Sequence, residues 1–216
     1  MKSKRPRPYV SSVRAESARR TRSAIRRAAA SLFLKRGYGA TSMVAIAAEA
    51  KVAPKTVYLA YPTKTDLLAD IIRTAVGGDE EQVPLSQRPW FRGLHRLSDP
   101  EFANILSENA TLIHRRAAAI QAMAEAAADA DRRLARFRDA GRRARRADLR
   151  ALARTRVPPA PPARLEDLTD RLYVLTSWQC FMLLTHDCGW SADRFQAWLL
   201  DAITAALGAT APGTTP

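Results

Sequence analysis

Apolar residues recur at helical spacing in almost every stretch of this chain long enough to show a period. Ile25, Ala28, Ala29, Leu32 and Phe33 fall at i, i+3, i+4, i+7 and i+8, with Arg26, Arg27, Lys35 and Arg36 on other faces. This spacing predicts an amphipathic helix over 20–36 closed by Gly37. Glycine and proline punctuation divides the rest of the chain. Residues 42–61 hold two short helices separated by Lys51-Val52-Ala53, and a helix opened by Thr63 and Lys64 stops at Gly77-Gly78. After a loop with Pro84 and Pro89, Ser98-Asp99-Pro100 opens a long segment from Glu101 to about Ala128, striped by Phe102, Leu106, Ile113, Ala117, Ile120 and Ala124. Another helix is expected over 131–156, then a stiff non-helical connector, Val157 to Pro162. Two final helices carry Leu165, Leu168, Leu172, Leu175, Met182 and Leu183 up to Gly189, and Phe195, Trp198, Leu199, Ile203 and Ala206 after a Ser191 cap. The fold class expected is all-α.

Composition sharpens this picture in two ways. Alanine accounts for 41 of 216 residues, which favours helix throughout. The net charge of +14 is unevenly placed: residues 1–75 hold 16 Lys and Arg against 4 Asp and Glu, whereas the remaining 141 hold 19 against 17. The first third therefore seeks polyanions, and the rest is nearly neutral. The many arginines between Asp131 and Arg156 are expected to form a solvated face paired with Asp129, Asp131, Asp139 and Asp148. Cys180 and Cys188 are too few for a disulfide framework, and no apolar run approaches the length of a membrane span. The start lacks the hydrophobic stretch of a secretory leader, so a cytoplasmic location is expected.

The segment 41–61 carries the chemistry. Thr41-Ser42 supplies an N-cap, Val44, Ile46, Ala47 and Ala48 a first helix, and Pro54 sits at N1 of a second, with sequence PKTVYLAY. In a helix-turn-helix the second helix enters the major groove, which points to Lys55, Thr56 and Leu59 for base edges, with Val57 and Tyr61 turned inward. Tyr58 at the rim and Lys64, at the start of the next helix, are expected on phosphate. Thr41, Ser42, Lys55, Thr56, Tyr58, Leu59 and Lys64 are thus the candidate DNA contacts.

These residues resemble the N-terminal domain of TetR-type (TetR/AcrR) transcriptional regulators. The resemblance is carried by Gly37-Tyr38, Thr41-Ser42, Ile46-Ala47, Val52, Thr56-Val57-Tyr58, Tyr61 and Lys64-Thr65-Asp66-Leu67-Leu68, with a second stretch, CGWSADRFQAWLLDAI, similar to a Gly-Trp-Ser segment and dimer helix of such regulators. It implies a three-helix DNA-binding domain followed by a helical ligand-binding and dimerisation domain. Lys51 departs from the glycine usual in the turn, so a left-handed backbone there would cost about 1 kcal/mol. Ala45 removes the acid that would complete a capping box with Ser42, and Ala53 replaces a Ser or Thr cap.

The expected layout is a basic flexible arm at 1–19, a helix-turn-helix domain at 20–63, an effector-binding and dimerisation domain at 64–208 and a disordered tail at 209–216. Partners expected are double-stranded DNA, a second copy of the chain and an apolar or aromatic small molecule, with no membrane and no cofactor or metal. Asn109, Met123, Phe137, Trp178 and Phe181 are the candidate ligand contacts. Leu172, Leu175, Phe195, Trp198, Leu199 and Ile203 are the candidate dimer contacts. His95, His114 and His186 are scattered, and no catalytic motif occurs, so no enzyme is expected. A nonspecific architectural DNA-binding protein stays open, as does a membrane-surface protein using the basic arm.

Overall fold

The structure, a computed structural model, describes residues 9–81, 83–157 and 161–208. It is all-α, with ten α-helices and no strand among the described residues. Two compact units divide the chain between Ile71 and Ile72.

In the first unit, α1 spans Tyr9–Arg36, α2 Met43–Glu49 and α3 Pro54–Ala60, and α4 (Lys64–Gly77) begins here. Helix α1 is longer than the 20–36 periodicity predicts and takes in much of the segment expected to be a flexible arm. Glu16 supports the extension by pairing with Arg19 and Arg20 one turn on. Ile25, Ala29, Phe33, Ile46, Val57, Leu67 and Leu68 form the centre of this unit at near-zero exposure. Because Leu67, Leu68 and Ile71 are buried, the first turns of α4 stay with the helix-turn-helix, and the division falls inside α4 rather than before Lys64.

The second unit is built on α6 (Asp99–Ala128), with α7 (Arg132–Arg156), α8 (Pro162–Leu175), α9 (Trp178–Met182) and α10 (Ala192–Gly208). Short turns and α5 (Pro89–Gly93) occupy the predicted loop. Ser98 and Glu101 close a capping box at the start of α6, with the Ser98 hydroxyl 2.6 Å from the Glu101 carboxylate, and Asp131 caps α7 by accepting from the amides of Arg133 and Leu134. Helix α10 packs along α6, and Phe102, Leu106, Leu152, Leu168, Leu172, Phe195, Leu199 and Ile203 form one core.

Three expectations are corrected here. The helix predicted from Leu165 to Gly189 breaks at Thr176-Ser177, and Ser177 caps α9 by accepting from the Cys180 amide at 3.1 Å. The break is stable because its freed carbonyls find donors: Arg145 gives to Tyr173 O at 2.6 Å and His114 Nε2 to Thr176 O at 3.0 Å. A π-helical turn, Leu183–Asp187, then leads to Gly189, whose φ of 68° ends the element as predicted. Pro162 is helical after all, at N1 of α8, where its missing N–H costs nothing; Pro158 to Ala160 lie outside the described residues. The α7 arginines do pair, but largely with other acids. Arg138 meets Glu125, Asp129 and Asp139, Arg146 meets Glu166 and Asp170, and Arg150 meets Glu166, whereas Asp131 is a cap and Asp148 bonds Ser86.

Candidate nucleic-acid interface

Helix α3 is seven residues long, too short to hold itself together, and is fixed by its two ends and one buried side chain. At its start Ala53 offers no side-chain cap, and Pro54 at N1 sets the first turn. Val57 is fully buried. At its end Tyr61 enters a buried polar cluster: its hydroxyl donates to Asp70 Oδ2 at 2.6 Å, and Arg26 Nη1 donates to the same oxygen at 3.1 Å. Burial and the Asp70 carboxylate push the Tyr61 phenol up to about 12. This Arg26–Asp70–Tyr61 cluster ties α1 and α4 to the end of α3, with Arg22 above the Tyr61 ring. Residue spacing does not reveal it. The one signal is that Asp70 interrupts a run of buried Leu67, Leu68 and Ile71.

With the inner side so anchored, Lys55, Tyr58 and Leu59 all point to solvent, Leu59 at 76% and Tyr58 at 50% exposure, and Thr56 is half-buried. An exposed leucine beside a lysine and a phenol makes a surface that can meet a thymine methyl, a base edge and a phosphate at once. Ser42 is exposed and caps α2 by accepting from the Ala45 amide at 3.1 Å. Lys51 has φ 55°, so the turn takes the left-handed conformation anticipated for it, on a residue with a Cβ.

Two candidate contacts are engaged within the unit instead. Thr41 is 1% exposed, and its hydroxyl donates to Gly37 O at 2.8 Å, so its side chain cannot reach DNA. Lys64 donates to Tyr38 O at 2.7 Å and Thr41 O at 2.9 Å while lying over the Tyr38 ring. The anion site expected at the start of α4 is filled by the chain's own Asp66, whose carboxylate accepts from Thr63 N at 3.1 Å and Thr63 Oγ1 at 2.7 Å.

The match to known proteins agrees with this geometry. Residues 25–71 match the family model of bacterial regulatory proteins, tetR family. Over this segment the chain carries the tetR-family domain. No curated protein matches it. Solved structures share the fold of this chain at low identity. One is a transcriptional regulator of the TerR/AcrR family from Aquifex aeolicus VF5, 13% identical at TM-score 0.63, covering 86% of this chain and 98% of that one. A SmeT–triclosan complex is 20% identical at TM-score 0.60 over 91% and 97%. A transcriptional regulator from Rhodococcus sp. Rha1 is 19% identical at TM-score 0.56 over 90% and 95%.

The remaining candidate residues all lie in the second unit. Leu172, Phe195, Leu199 and Ile203, expected between two copies, are fully buried in the core of their own chain, because α10 is covered by α6 and α8 packs on α7 and α10. Leu175 and Trp198 are half-buried against the same core. The apolar residues that do face solvent nearby are Val174, 60% exposed, and Leu183, 57% exposed. Phe181 is a core residue, 5.0 Å ring to ring from Phe195 and 5.6 Å from His114. Trp178 packs against that core, and Met123 and Phe137 are half-buried. Of the ligand candidates, Asn109 alone lines a cavity described in the second unit. Among the described residues no helix is long and apolar enough to cross a membrane.

Proposed function

We propose that this protein is a TetR-type transcriptional regulator, a sequence-specific repressor that binds a palindromic operator as a homodimer and is released by a small-molecule effector. The observation that carries the proposal is the division of labour on α3: Val57 and Tyr61 hold the helix, and Lys55, Tyr58 and Leu59 stand outward with no packing duty. Two copies would insert their α3 helices into successive major grooves about 34–36 Å apart. Ser42 and Tyr58 supply phosphate contacts, while Lys55, Thr56 and Leu59 choose the sequence. The basic residues Lys2, Lys4, Arg5 and Arg7, which lie outside the described residues, add phosphate or minor-groove affinity.

Support for effector control is the cavity in the second unit, together with the triclosan held by SmeT in a similar fold. Support for dimerisation is the pair of exposed side chains Val174 and Leu183, and V174D with L183D is expected to give monomers by light scattering with an unchanged helical signal and little operator affinity. Selection of bound sequences from random DNA tests the central reading. A palindromic consensus is expected. Equal affinity for selected and random DNA would favour the architectural alternative instead.

A further inference from the structure

The cavity in the second unit measures about 200 Å³, and its wall is not the apolar one the sequence suggests. Trp90, Leu112 and Ile113 supply an apolar side, while Arg88, Arg116 and Asn109 bring two guanidinium groups and an amide to the same space. We propose that it binds a small organic anion, a one-ring carboxylate, with the carboxylate on Arg116 and Arg88 and the ring against Trp90 and Leu112. The proposal deepens the effector reading above and rests on it only for what binding does to DNA.

Four observations lead there. First, the charge around the cavity is positive. Its wall holds two guanidiniums and no acid; Asp79 and Glu81 lie beside Arg88, and Asp79 is held by it through a two-point pair, 2.6 and 3.0 Å, with its carboxyl held down at about 2 by Arg88 and by the Glu81 amide. Arg116, in turn, bonds backbone carbonyls rather than a carboxylate. Second, Arg88 is incompletely satisfied: Asp79 takes Nη1 and Nη2, and Nε is buried with no partner among the described residues. A buried N–H of this kind calls for an acceptor. Third, both guanidiniums lie against glycine backbone. A Cβ at Gly77 would sit 2.8 Å from Arg88 Nη2, and one at Gly78 3.0 Å from Arg116 Cζ. Larger residues at either position would push these groups away. Fourth, size selects: the volume is below the ~300–1,000 Å³ of sites for drug-sized molecules, so one ring with one charged group is the fitting scale. Paired N–H groups of arginine match a carboxylate better than they match any neutral oxygen.

The site also carries its own lever. Arg116 Nε donates to Ala75 O at 3.0 Å and Nη2 to Val76 O at 3.4 Å, both carbonyls of the last turn of α4, which otherwise lack helical partners. A ligand carboxylate competes for the same guanidinium, so occupancy is felt at the end of α4.

Calorimetric titration of the full chain, without DNA, tests this with benzoate, benzamide and benzylamine, which share size and differ in charge. Benzoate is expected to bind at least about tenfold tighter than the other two. R116Q should erase that preference, R116K should keep part of it, and L112W, which fills the cavity, should lose benzoate while retaining its helical signal. Benzamide or benzylamine binding as tightly as benzoate would overturn the proposal, as would an unchanged benzoate titration in both R116Q and L112W, or no benzoate binding up to about 10 mM. A separate measurement of operator affinity keeps the two readings apart. Benzoate bound without effect on DNA leaves the anion site standing and removes effector release.

Discussion

The two units treat buried polarity in opposite ways. In the first, Arg26, Asp70 and Tyr61 form a closed cluster in which one carboxylate oxygen accepts from both partners. In the second, His114 Nδ1, Gln121 Oε1, Arg88 Nε and Thr74 Oγ1 are buried with no partner among the described residues, and no such atom is found in the first unit among those residues. A satisfied polar network specifies one geometry, and an unsatisfied one leaves alternatives close in energy. The helix proposed to read DNA is locked by the former. The unit proposed to bind a ligand contains the latter.

Breaking the closed cluster should give the largest effect. Asp70→Ala strands a buried guanidinium and a buried phenol and is expected to cost about 3–5 kcal/mol in urea unfolding, with operator binding lost. Tyr61→Phe, which removes one donor and leaves Asp70 with Arg26, should cost about 1 kcal/mol. A comparable loss from both substitutions would mean that the phenol's bond, and not the stranded buried charge, carries most of the cluster's stability.

The open side of the comparison is sharpened by pH. Burial pushes His114 down to about 4, against an ordinary value near 6.5, so it is neutral when folded and takes up a proton when unfolded. The unfolded chain then binds more protons between these values, and stability falls as pH drops from about 6.5 to about 4, by roughly 3 kcal/mol in all. His114→Phe should flatten that slope in urea titrations at about pH 7 and about pH 4.5. An undiminished slope in the variant would place the acid sensitivity elsewhere.

Smaller effects belong to the exposed face of α3. Lys55→Ala and Leu59→Ala should each weaken operator binding by about 1–3 kcal/mol and leave the melting temperature unchanged, since neither side chain packs. Smallest of all is the turn. Lys51→Gly relieves a left-handed backbone and should stabilise the chain by up to about 1 kcal/mol, offset in part by the added freedom of the unfolded glycine.

The helix-turn-helix is legible in the sequence because its signals are local. Pro54 at N1, Ser42 as a cap, the stop at Gly37 and the inward pair Val57 and Tyr61 are all set within a few residues, and each appears where its spacing places it. The features that spacing misses are decided across the chain. Arg26 and Asp70, 44 residues apart, look like two ordinary surface charges until the fold brings them together. Lys64 has the position of a DNA contact, and spacing cannot show that the carbonyls of Tyr38 and Thr41 capture it. The apolar stripe of α10 is as strong as expected, but a stripe does not say whether its own chain or a second copy will cover it. Phe195, Leu199 and Ile203 are covered by their own chain. The break at Thr176-Ser177 has a local sign in its hydroxyl pair, outweighed by the unbroken leucine period on either side.

The shortness of α3 has a consequence for descent as well as for binding. Its fold depends on Val57 inside it and on Tyr61 at its end, and neither faces outward. The outward positions are therefore free to drift. On the proposed function, a lineage can exchange Lys55, Tyr58 and Leu59, acquire a new set of target genes, and still inherit an intact frame.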